Sequence, residues 1–133
     1  MAHGNDIEVM APVGSWAALH AAIKAGADSI YFGVDKLNMR ARSSYNFTLE
    51  DLKAVVVTCS EQRVKTYLTL NIVVYDEEVL AMREVCDAAL GAGITAVIAH
   101  DMAVISYASS IGLNVHISTQ ANVCNTEAVL HYA

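Results

Sequence analysis

The feature that most constrains this chain is a junction that recurs three times: Ala25-Gly26-Ala27-Asp28-Ser29-Ile30, Ala92-Gly93-Ile94-Thr95-Ala96-Val97 and Ile111-Gly112-Leu113-Asn114-Val115-His116. In each, a stretch with helical spacing stops at a glycine, the residue that closes a helix in the left-handed conformation without a Cβ clash. An apolar, strand-like run begins a few residues later. Regular alternation of helix and strand predicts an α/β fold with a parallel sheet, because each helix is then the right-handed crossover between two strands.

Taken in order, Ile7 to Ala11 predicts a first strand, and Ser15 is placed to cap a helix whose Trp16, Leu19, His20, Ile23 and Ala27 share one core-facing stripe. Ser29 to Gly33 predicts the second strand. Thr48 and Asp51 have capping-box spacing, with Phe47 and Leu52 as the two ends of a hydrophobic staple, and the helix they open runs to about Gln62. Val64 to Asn71 alternates as a third strand. Asp76, Glu77 and Glu78 load the first turn of a helix that ends near Gly91 and Gly93. Ala96 to Ala99, a helix over Met102 to Ile111, Asn114 to Ser118 and a last helix from near Asn125 complete five units. An eight-unit barrel takes about 250 residues, so five units are roughly half of one. The reading is a TIM-barrel-like domain over residues 1–133, truncated at its C-terminal side because the chain stops inside a helix; a doubly wound sheet is the alternative. Exposed strand edges predict self-association of such a piece. In either architecture the chemistry gathers at the C-terminal ends of the strands.

Composition narrows the function classes. The chain is 55% hydrophobic and 17% charged, a balance suited to buried strands, and its net charge of -6 speaks against a broad nucleic-acid surface. No apolar run approaches the roughly 20 residues of a membrane span, and Met1 to Asp6 lacks the features of a signal peptide, so a cytoplasmic protein with no membrane partner is expected. Cys59, Cys86 and Cys124 are odd in number and form no Cys-x-x-Cys pair. They read as reduced thiols, with no cofactor held inside this segment.

The stretch from Tyr31 to Phe47 obeys neither helical nor strand periodicity and carries Lys36, Arg40 and Arg42 on an acidic chain. Arg40 and Arg42 are spaced to grip a carboxylate or phosphate bidentately; the alternative pairs one of them with Asp35 or Glu50. Asn71, His100, Ser118, Gln120 and Asn122 fall at or just past the ends of strands three, four and five, so they are expected around one mouth. Amide, imidazole and hydroxyl groups there suit a polar ligand, although Asn122 serves a tight turn equally well. His116 is a further candidate ligand contact. His100, Asp101 and His116 have the composition of a metal site with two histidines and a carboxylate, against a simpler reading in which Asp101 caps a helix and His116 is structural; no metal is assigned. Tyr75 either reaches the cavity or covers its turn. No Ser-His-Asp set, zincin helix or phosphate-gripping glycine loop is present.

Ala11-Pro12-Val13-Gly14-Ser15-Trp16, Ala25 to Gly33, Leu37-Asn38-Met39-Arg40-Ala41-Arg42, Tyr67 to Asn71 and His116 to Val123 together resemble the collagenase-like peptidase family, peptidase family U32. The resemblance implies a barrel-like fold. It also implies one of several activities: degradation of collagen, hydroxylation of RNA bases including the tRNA wobble uridine with prephenate as a participant, or oxygen-independent ubiquinone synthesis. Many members of the family hold an iron–sulfur cluster on four cysteines; none of Cys59, Cys86 and Cys124 matches that set, which is expected downstream in the full-length chain. The function implied is RNA base hydroxylation by the full-length protein, with a small anionic substrate such as prephenate, or tRNA, as partner. A peptidase acting on collagen-like polypeptides and a non-catalytic barrel half are the alternatives.

Overall fold

The computed structural model describes residues 7–34 and 47–133. Five strands, β1 (Met10–Pro12), β2 (Ser29–Phe32), β3 (Lys65–Leu70), β4 (Ala96–Ala99) and β5 (Val115–Ile117), form one sheet, parallel throughout, in the order β1-β2-β3-β4-β5. Among the described residues five α-helices separate or follow them: α1 (Trp16–Lys24), α2 (Leu52–Glu61), α3 (Val79–Ala92), α4 (Met102–Ser110) and α5 (Thr126–Tyr132). A doubly wound sheet reverses its strand order at a switch point. No reversal occurs here, so successive right-handed crossovers lay their helices on one face, as in a TIM-barrel-like α/β domain.

Residue alternation separates the two faces. Phe32, Leu68 and Val97, in register with one another, are buried and join Leu19, Leu52, Val55, Met82, Val85 and Val104 of the helices in the core. Tyr31, Thr69, Ile98 and His116 point the other way, and the last of these is exposed. That second face is the inner wall of the curved sheet.

The repeated junction is a Schellman closure. Gly26, Gly93 and Gly112 have φ of +87°, +86° and +79°. Each glycine N–H donates to the carbonyl three residues back, and the next residue's N–H donates five back: Ala27 to Ala22 (3.1 Å), Ile94 to Ala89 (3.0 Å) and Leu113 to Ala108 (2.9 Å). All three following residues are buried. A fourth closure lacks a glycine: Arg63 stands at φ +57°, donating to Ser60, and Val64 donates to Cys59 at 2.9 Å.

The helix starts follow the expected chemistry. The Ser15 hydroxyl accepts from Ala18 N–H at 3.2 Å and the Asn125 side-chain oxygen from Ala128 N–H at 3.0 Å. The Thr48 N–H donates to Asp51 Oδ2 at 2.8 Å while Asp51 N–H donates to Thr48 Oγ1 at 3.3 Å, the reciprocal pair of a capping box. Phe47 and Leu52 are both buried behind it.

Three expectations change. β1 is shorter and later than Ile7 to Ala11, because Val9 is tied sideways: its N–H donates to the Asp28 carboxylate at 2.8 Å and its carbonyl accepts from Asp28 and Ser29. Asp76–Glu78 form a 3₁₀ turn and α3 begins at Val79, since the Glu78 carboxylate accepts the Tyr75 N–H and closes that turn first. Trp16 and His20 are exposed rather than core-facing; Trp16 lies edge-on to Phe47 with ring centroids 5.4 Å apart, at the margin of the helix layer.

A non-glycine residue in the left-handed region costs about 1–2 kcal/mol. Arg63→Gly is therefore expected to raise stability by about 1 kcal/mol in urea unfolding, and Gly93→Ala to lower it by a similar amount; a destabilised Arg63→Gly variant would contradict this account of the closures.

Candidate site at the mouth of the sheet

Leu70, Ala99 and Ile117 are register partners on β3, β4 and β5. Asn71, His100 and Ser118 come next on each strand, and Ser118 N–H still donates to Ala99 O at 2.8 Å, so the three stand at one level, with neighbouring strands about 4.8 Å apart. By alternation they continue the inner-face row of Thr69, Ile98 and His116. Asn71 and His100 are half-buried and Ser118 is buried.

Asp101 holds this edge together. Its Oδ1 accepts from Ala103 N–H at 2.8 Å, capping α4, and its Oδ2 accepts from Val74 N–H at 3.1 Å, tying the loop after β3 to the start of α4. Both carboxylate oxygens are thus engaged by backbone beside His100. His116 lies one alternation below the mouth, its ring 4.9 Å from that of Tyr67 and tilted 36°. His100, Asp101 and His116 do not converge, and among the described residues no three His, Cys, Asp or Glu side chains form a metal-binding group.

Past β5, the Ser118 hydroxyl accepts from Gln120 N–H at 3.3 Å and starts a 3₁₀ turn over Thr119–Ala121. Gln120 is exposed on that turn. Asn122 adopts a left-handed conformation, φ +53°, its carbonyl accepting from the Cys124 thiol at 3.2 Å, so the turn accounts for an asparagine here. A cleft of about 550 Å³ lies beside the mouth, lined by Ile117, Thr119, Cys124, Val129 and Tyr132 among others. Ser118 and Asn122 also line it, so the cleft runs from the mouth row, past Ile117, toward α5.

Arg40, Arg42 and Lys36 lie outside the described residues. The residues on either side of that stretch, Val34 and Phe47, form a parallel bridge just beyond the carboxyl end of β2, and both are buried. Gly33 precedes them where a Cβ would sit 3.2 Å from Thr69 Oγ1, whose hydroxyl donates to Phe32 O at 3.0 Å. The strand pair is close there because glycine permits it.

At the other end of the inner face the structure assembles a group that strand patterning had not joined. Lys65 Nζ donates to Glu8 Oε2 at 2.6 Å and Tyr67 Oη to Glu8 Oε1 at 3.1 Å. The hydrogen bond from Lys65 is the main cause that holds the Glu8 carboxyl below its ordinary value. Glu8 in turn raises the Lys65 ammonium, and burial together with Glu8 raises the Tyr67 phenol. Alternation did put Lys65 and Tyr67 opposite Leu68. That Glu8 reaches them across β2 depends on strand order.

Cys59 in α2 and Cys86 in α3 are buried, and burial pushes both thiols up to about 11. Cys124 is exposed. Three cysteines on separate elements, two of them held as neutral thiols, do not fit a cluster that needs four thiolates.

The family model described as peptidase family U32 matches residues 14–133. The chain belongs to this family. It is 57% identical over 129 residues to a protein named collagenase from Porphyromonas gingivalis, covering 97% of this chain and 31% of that protein. It is 33% identical to the tRNA hydroxylation protein P of Helicobacter pylori, covering 92% of this chain and 29% of that one. The U32 chain thus spans less than a third of the length of these curated relatives. A solved structure of a U32 peptidase superposes with a TM-score of 0.72 at 14% identity, over 94% of this chain and 53% of the other, a likeness of fold. No helix among the described residues is long and apolar enough to cross a membrane.

Two outcomes follow from the ionisable groups. Glu8 is depressed, so the stability it lends is present above its ordinary carboxyl value and is lost as pH falls through the folded value. The Tm of Glu8→Gln is therefore expected to fall less than that of the parent between about pH 6 and pH 3, and parallel curves would refute the tie. Under native conditions near neutral pH, a thiol reagent is expected to label Cys124 and spare Cys59 and Cys86, with all three labelled in denaturant; rapid native labelling of Cys59 would contradict its assignment as a buried thiol.

Proposed function

We propose that the full-length protein hydroxylates an RNA base, the wobble uridine of tRNA, with this chain supplying one wall of the substrate mouth. The observation that carries the reading is the level row of Asn71, His100 and Ser118 above His116. An enzyme that works on a base must take it out of the stack and read its edge with hydrogen-bonding groups in a confined site. Amide, imidazole and hydroxyl groups at one level meet that need, with Gln120 and Asn122 flanking them. Arg40 and Arg42 are assigned to the anionic group of the substrate, either a phosphate of the tRNA or the carboxylates of a small participant such as prephenate. A relative named for tRNA hydroxylation aligns along 92% of the chain, which supports the same reading. The net charge of -6 favours recognition through a few local contacts over a broad basic surface. An iron–sulfur cluster, where the full-length protein carries one, is assigned to residues other than this chain's three cysteines, and the cytoplasm is the fitting compartment.

A second reading, peptidase action on collagen-like chains, is favoured by the 57% identity to a protein named collagenase. One experiment separates the two. The full-length gene is supplied to cells lacking wobble-uridine hydroxylation, tRNA nucleosides are measured by mass spectrometry, and purified protein is incubated with gelatin beside a thiol-blocked control. Restored hydroxynucleoside is expected, falling at least about tenfold in Asn71→Ala/His100→Ala, in line with the loss of hydrogen bonds worth roughly 1–3 kcal/mol. Absence of the nucleoside together with gelatin cleavage above the control would overturn the proposal in favour of the peptidase.

A further inference from the structure

His116 is exposed on the inner face, at the level of Thr69 and Ile98 and directly below the row of Asn71, His100 and Ser118. An exposed imidazole on two rotatable bonds would ordinarily sample several rotamers. This one lies against the ring of Tyr67, two strands away. The approach is open because Ala96, the register partner of Tyr67 on the intervening strand, carries only a methyl group. Tyr67 is itself buried, and its hydroxyl donates to Glu8 at 3.1 Å, while the other oxygen of Glu8 accepts from Lys65 at 2.6 Å. A continuous line of contacts thus runs from the segment before β1, across the inner face, to the imidazole under the mouth.

We infer that Glu8, acting through Tyr67, is a positioning residue for His116, and that His116 faces the polar or anionic group of the ligand held in the mouth. The second half rests on the reading of the mouth given above. The depressed carboxyl of Glu8 and the raised phenol of Tyr67 keep acceptor and donor in their bonding forms through neutral pH. The competing role for the same contacts is a plain tie between β1 and β3, and Lys65 separates the two: its ammonium bonds Glu8 and so belongs to the tie.

The test uses the full-length protein with carbon-13-labelled histidine, the His116 resonance being assigned by its loss in His116→Gln. The Tyr67 ring displaces the His116 ring protons upfield. Glu8→Ala and Tyr67→Phe are each expected to lose at least half of that displacement. Glu8→Gln, whose amide oxygen still accepts from the phenol, is expected to retain it, as is Lys65→Met. An unchanged displacement in Glu8→Ala and Tyr67→Phe overturns the inference, and so does an equal loss in Lys65→Met, which marks a tie. The resonance is read without RNA, so a failure of the nucleoside assay would remove the proposed function and leave this result standing.

Discussion

The structure depends on how each helix is closed. In four units the chain leaves a helix through a left-handed residue, and the buried residue that follows donates back to the carbonyl five positions earlier. That bond ends the helix at a set place and aims the chain into a strand on the same edge of the growing sheet. Because the closure repeats, each new strand is added beside the last, and the order β1-β2-β3-β4-β5 follows without a switch point. One face of the sheet is then sealed by helices, leaving the other to carry polar groups.

Those polar groups are organised at two levels. At the mouth, Asp101 joins two successive loops by accepting from Val74 and Ala103, which sets His100 between fixed neighbours. At the opposite end, Glu8 gathers Lys65 and Tyr67 beneath β2. Each is a single carboxylate that bonds at least one partner distant in sequence. The inner wall thus carries two carboxylate-centred sets of hydrogen bonds, in contrast to the helix side, where Leu68, Val85 and Val97 pack without exposed surface.

Much of this was legible from residue types. Three of the four closures announce themselves through Gly26, Gly93 and Gly112; the fourth did not, because Arg63 accepts the strain of a left-handed residue where glycine would be free of it. The capping box of Thr48 and Asp51 and the cap at Ser15 were readable for the same reason, since local bonds need local residues. Trp16 and His20 were misplaced because spacing locates a stripe on a helix without saying how far the neighbouring layer extends. The mouth residues Asn71 and His100 stand at the strand ends where spacing puts them, whereas Asn122 both takes the left-handed conformation of its turn and lines the cleft beside the mouth.

Local chemistry, acting over a few residues at a time, determined from the sequence alone that helices and strands alternate, where most of them stop, and which side chains sit at the strand ends. Strand order and register belong to the tertiary structure, since they arise from backbone bonds between segments that no short-range pattern relates. They decided that Glu8 meets Tyr67, that Tyr67 leans over Ala96 onto His116, and that Asp101 serves two loops as a clamp. The physical reason is reach: a cap is complete within one turn of helix, but a wall of side chains exists only when five strands lie side by side.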